Sequence, residues 1–137
     1  MSNDEAGAAA APSAGPKRVY DSAERTARFG EAAIDFPKRV PLTPLTGNIV
    51  DQLVRSATSV GANSCEADDA GSPAEFRHRI NIRRRESRET MFWLRMSARA
   101  APDRRDASRV LDREADELNR IFAAVHRKLP APTRKPR

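Results

Sequence analysis

Apolar positions recur at three- and four-residue intervals along most of the chain, and no strand-like alternation competes with them. Thr26, Phe29, Ala33 and Phe36 follow a 3,4,3 spacing, with Ile34 widening the face. This predicts a first helix from about Asp21, whose distance to Glu24 has the form of a capping box. Pro37 should end or kink it, because proline lacks the donor and clashes with the preceding turn. The run PLTPLTGN, residues 41–48, reads as a loop. A second helix is expected from about Asn48 to Ala70, with Val50, Leu53, Ala57, Val60, Ser64 and Ala67 in a heptad-like seam of mostly small side chains. Gly71 then stops it. Ser72 as N-cap, Pro73 at the first helical position and Glu75 three residues after the cap open a third helix, which runs to about Ala100 before Pro102. A fourth, from about Asp103 to Leu129, carries Leu111, Ala115, Leu118, Phe122, Val125 and Leu129 as its stripe.

The expected links are about eleven, two and three residues, and the two- and three-residue links force antiparallel neighbours. The fold expected is all-α: an antiparallel up-down-up-down four-helix bundle over 18–129. Residues 1–17, rich in Ala, Gly, Pro and Ser, and the proline-rich basic tail 130–137 are expected to be disordered, since neither can bury enough apolar surface to offset ordering entropy.

The third helix has more faces than one bundle core needs. At roughly 100° per residue, Phe76, Ile80, Ser87, Met91, Leu94 and Ala98 fall within about 60° of one another and should form the buried face. Ile82, Glu86, Glu89, Trp93 and Met96 cluster on a second face, which predicts either an oligomer contact or a second neighbour within the bundle. Arg77, Arg84, Arg88, Arg95 and Arg99, spaced 7, 4, 7 and 4, form a third: a basic rail about 33 Å long.

Charge sharpens this picture. The formal net charge is +6, yet it is uneven. Residues 72–100 hold eight arginines and three glutamates, residues 127–137 add five bases, among them Arg127 and Lys128, and residues 41–71 are net acidic. Such asymmetry points to an anionic partner, with RNA or DNA first, since guanidinium forks suit phosphate oxygens. A generally arginine- and alanine-rich composition is the plain alternative.

Other chemistry is sparse. No stretch approaches the roughly 20 apolar residues of a membrane span, and a lone cysteine, Cys65, excludes an intrachain disulfide framework and is expected to be a small packed side chain. With no secretory signal visible, a reducing, cytoplasmic setting is the default. Glu75 and His78 form a single Glu-x-x-His pair, where carboxylate-bridged di-metal bundles use two. No metal, cofactor or catalytic residue is therefore expected. One polar constellation stands out: Arg55, Ser59, Asn63 and Glu66 beside the seam of the second helix, facing Glu86 and Glu89 of the third. It reads as a network that fixes helix register or subunit orientation.

The run QLVRSATSVGANSCEADDA (residues 52–70), with FRHRI (76–80) and RRESRETMFWLRM (84–96), resembles the four-helix-bundle family of proteins encoded in 23S rRNA intervening sequences, over about residues 20–129. The resemblance implies a ring-like homopentamer without catalytic residues. A related branch, the accessory protein of diversity-generating retroelements, is associated with a reverse transcriptase and with nucleic acid. Pro37, Arg84 and Met91 depart from the family pattern, so no binding site carries over position by position. The function expected is a non-enzymatic homo-oligomer binding RNA or DNA through Arg77, Arg84, Arg88, Arg95, Arg99, Arg127 and Lys128. The oligomer contact or polar network would use Arg55, Asn63, Glu66, Ile82, Glu86, Glu89, Trp93 and Met96. The alternative is an adaptor whose partner is another protein.

Overall fold

A computed structural model describes residues 17–132, which form four α-helices: α1 (Lys17–Asp35), α2 (Pro44–Asp68), α3 (Pro73–Ala100) and α4 (Arg105–Lys128), with 3-10 turns at Phe36–Arg39 and Pro102–Arg104. The segments expected to be disordered lie outside the described residues, except Lys17, which already belongs to α1, and 130–132, which carry no regular structure. α1 therefore starts upstream of Asp21, and Asp21 is an interior helical position rather than a cap. Pro37 acts as expected: the helix tightens into the 3-10 turn at Phe36.

The start of α2 corrects the loop assigned to 41–48. Thr43 is the N-cap and Pro44 the first helical residue. Thr43 Oγ1 accepts from the Thr46 amide at 3.2 Å, and the Thr43 amide donates to Thr46 Oγ1 at 2.8 Å, so two orphan donors are satisfied reciprocally. At α3 the Ser72 cap holds, with Ser72 Oγ accepting from the Glu75 amide at 3.1 Å. Glu75 reaches back one residue further than a capping box does, taking the Gly71 amide at 3.0 Å.

Cross-helix pairs establish the antiparallel order. Ser56 meets Thr90 and Ser64 meets Arg83 between α2 and α3, while Leu94 meets Ser108 and Arg84 meets Asn119 between α3 and α4. Between α1 and α2, Gly30 lies against Thr58 and Gly61 against Thr26. In each set the number rises on one helix as it falls on the other. The seam of α2 is buried throughout, as are Thr26, Phe29, Ala33 and Phe36, and Leu111, Ala115, Leu118 and Phe122 of α4. Ile34, expected to widen the core face, is exposed. Cys65 is exposed too, on the outer side of α2, and is not the packed side chain expected.

α3 is buried through Ile80, Arg83, Ser87, Thr90, Leu94 and Ser97. On the helical wheel this arc is turned by about 40° from the expected one, toward the Trp93 face. Met91, Phe76 and Ala98 are only half-buried. The reason is that α3 lies between α2 and α4 and shares its buried surface between them. Small hydroxyl side chains let the backbones close up, and each hydroxyl donates to a carbonyl: Ser64 to Val60 (2.8 Å), Thr90 to Glu86 (2.8 Å) and Ser97 to Trp93 (2.8 Å). Among the described residues no helix is long and apolar enough to cross a membrane.

Candidate nucleic-acid interface

The two charged faces of α3 are built differently. On the α2 side, Arg55 and Arg79 beside the seam each have a carboxylate. Arg55 Nη1 donates to Glu86 at 3.5 Å, its Nη2 bonds Glu89, and its Nε donates to Gln52 at 3.1 Å. Trp93 Nε1 donates to the same Glu89 at 3.2 Å. Two turns away, Arg79 donates to Asn63 Oδ1 at 3.3 Å and pairs with Glu66 at 2.6 Å, while Asn63 donates to Ser59. The expected constellation is thus assembled as two clusters across the α2–α3 seam. Arg79, which the sequence reading passed over, ties Asn63 to Glu66.

Glu86 is half-buried there, and its carboxyl is held above the ordinary range. Burial is the main cause, then the neighbouring Glu89 charge, with Arg55 opposing both. Ile82 and Met96 flank these groups half-buried, and Trp93 packs on the core. α2 therefore gives much of this second face a partner inside the bundle.

On the other side the rail has no such partners. Arg88, Arg95 and Arg99 are exposed and Arg77 and Arg84 half-buried, and among the described residues none has a carboxylate within ion-pairing distance. Arg127 and Lys128 are likewise exposed and unpaired among the described residues. Leu129–Pro132 line one cavity with Pro73, Phe76 and Arg77, which places the start of the basic tail near the rail's first arginine. Of the acidic side chains of α4, Glu114 and Glu117 hold Arg25 of α1 at 2.7 and 3.1 Å, raising that guanidinium's pKa, and Asp116 pairs with Arg120, while Asp112 lines a groove with Arg95 without an ion pair among the described residues.

Two rail neighbours were not anticipated. Phe92 is 52% exposed, one turn from both Arg88 and Arg95. Arg109 of α4 joins Arg95 across a groove between the helices. Phe92 was findable, since it sits at i+4 and i−3 from two rail arginines. Arg109 comes from another helix and has no local signal.

A third unanticipated feature is interior. Arg83 is buried, 6% exposed, with its guanidinium over the Phe122 ring and its Nη1 donating to Ser64 and Ser22 at 3.2 and 3.4 Å. Among the described residues no group of three or more His, Cys, Asp or Glu side chains is placed to hold a metal ion.

Comparison with known proteins agrees with this architecture. A crystal structure of a protein of unknown function from the S23 ribosomal protein family of Bacteroides thetaiotaomicron superposes with a TM-score of 0.70 at 23% identity, covering 81% of this chain and 99% of that one; at that identity the likeness shows the fold alone. No curated protein matches the sequence. The model of the 23S rRNA-intervening sequence protein family matches residues 21–124, all four helices, and the chain belongs to that family.

Proposed function

We propose that the chain is a non-enzymatic, homo-oligomeric helical-bundle protein that binds RNA or DNA through the arginines of α3 and the basic residues after α4. The observation that carries this is the contrast between the two faces of one helix. Arg79 and Arg55 are each neutralised by glutamate, whereas the rail from Arg77 to Arg99 is left unpaired among the described residues. An unpaired row of guanidinium groups on a rigid rod suits a row of phosphates, and each contact releases counterions. Assembly into a homopentamer would multiply weak contacts through effective concentration. Leu42 and Leu45, exposed at the end where α1 passes into α2, offer apolar surface for it or for a protein partner such as a reverse transcriptase.

The test is a salt titration of binding to a labelled RNA, run beside native mass measurement. Affinity should fall steeply with salt, in particles of several 15.2 kDa chains. Affinity independent of salt would remove the phosphate contacts. Partners that survive nuclease treatment, with no RNA bound by the pure protein, would favour the adaptor.

A further inference from the structure

The groove between α3 and α4 has a character that the rail alone does not. Its walls are Met91, Phe92, Arg95 and Ala98 on one side and Arg109 and Asp112 on the other, enclosing about 480 Å³, within the roughly 300–1,000 Å³ of ordinary ligand clefts. Phe92 stands at its lip as an exposed aromatic ring, which in an isolated soluble bundle serves no core. The ring is not loose. It meets Trp93 edge to face, with centroids 5.0 Å apart and planes at 76°. Trp93 is fixed in turn by Glu89, and Glu89 by Arg55 of α2. The aromatic surface is therefore held from one side and open on the other, with Arg88 and Arg95 one turn away along the helix.

Resting on the nucleic-acid reading above, we infer that this groove receives an unstacked base of a single-stranded nucleic acid, stacked on Phe92 with the flanking phosphates on Arg88, Arg95 and Arg109. Every base offers a π-face, so stacking tolerates sequence, whereas a duplex keeps its bases paired and cannot present one. Charge complementarity selects the occupant: three unpaired guanidinium groups surround one apolar ring. Asp112 on the α4 wall repels a phosphate at that point and suits an N–H donor on a base edge, which directs the backbone toward the arginines.

The experiment compares a fluorescein-labelled oligouridine with a blunt-ended duplex RNA of equal length, binding to the full chain and to Phe92→Ala, Phe92→Leu and Phe92→Tyr. Stacking on an aromatic contributes enough that both the Ala and Leu variants should lose about tenfold or more in oligouridine affinity. Duplex affinity should stay within about twofold, and the Tyr variant should behave as the parent. Because Phe92 is exposed, these variants keep the bundle core, and native mass verifies the assembly. Equal losses on both RNAs, or none, would overturn the platform while leaving the arginine contacts standing. A parent protein that binds neither RNA would overturn both readings. A change of particle mass in Phe92→Ala would assign the ring to a subunit contact and overturn it as well.

Discussion

The guanidinium of Arg83 lies 4.0 Å from the centroid of the Phe122 ring, in the middle of a core where among the described residues no carboxylate reaches it. Its two hydrogen bonds go to serine hydroxyls, and its Nε has no partner. Burial lowers its pKa to about 10, against a small opposing pull from Asp68. The folded value lies below the unfolded one. The cost of the charge is thus present in full at neutral pH and is relieved only as pH rises past about 10. Replacing a buried charge with an apolar side chain of similar reach is often neutral or stabilising, by about 1–4 kcal/mol. Arg83→Met should therefore raise the unfolding temperature, by roughly 4 °C per kcal/mol for a domain of this size, measured by circular dichroism at neutral pH. Arg83→Ala should lower it, because the space above Phe122 is left empty. A fall in both would show that the hydrogen bonds and the ring contact outweigh the desolvation.

Glu86 gives a pH dependence of definite sign. Its carboxyl titrates above the ordinary range because it is buried beside Glu89. In the window between the unfolded and folded values the native state holds more protons than the unfolded chain, so this group makes stability fall as pH rises through it. Glu86→Gln removes the titration. The variant should show a flatter stability profile in mild acid and an unfolding temperature at neutral pH no lower than the parent's. Denaturant midpoints measured across mildly acidic to neutral pH check it, and an unchanged slope would locate the titration elsewhere.

These two residues show where the sequence was legible. The apolar stripes of α1, α2 and α4 follow the 3.6-residue period, and nearly every residue expected in them is buried. The arc of α3 was misplaced because its buried side is mostly polar: Arg83, Thr90 and Ser97 look like surface residues until α2 and α4 close around them. Arg83 draws its contacts from α1, α2 and α4, so nothing within its own helix announces burial. The early start of α2 was hidden by Pro41 and Pro44, which read as loop punctuation although Pro44 occupies the first helical position, where proline is favoured. The rail was legible because helical spacing alone determines which arginines align. Whether acids neutralise it depends on a neighbouring helix, as Arg25 and Glu114 show.

The Thr43 cap can be tested directly. Its hydroxyl satisfies the Thr46 amide, and Thr46 Oγ1 also donates to the Pro41 carbonyl at 2.7 Å, binding the loop to the helix start. Thr43→Ala should cost about 1 kcal/mol of stability, and Thr43→Ser far less. Leu42 in that loop and Leu45 in the first turn of α2 are exposed, so faster proteolysis at this point should accompany the loss. Thermal melts with limited proteolysis follow both effects, and an unchanged melt for Thr43→Ala would mean the cap is replaced by solvent at little cost.

The rail makes a prediction that separates phosphate contact from general basicity. If Arg88 and Arg95 each meet a phosphate, the double variant Arg88→Gln, Arg95→Gln should reduce the slope of log affinity against log salt by about 1.4 to 1.8 per chain, since each lost contact removes about 0.7 to 0.9. The loss should be nearly uniform across RNA sequences, because phosphate contacts position a protein without reading bases. Arg55→Gln removes the same single charge per substitution from the opposite face, where the arginine is already bound by Glu86 and Glu89. That variant should leave the salt slope unchanged and instead destabilise the α2–α3 seam, since it leaves two carboxylates facing each other without their cation. A slope that falls equally in both variants would reduce the rail to net charge alone. A slope that falls only in the rail variant ties the nucleic acid to the unpaired face of α3.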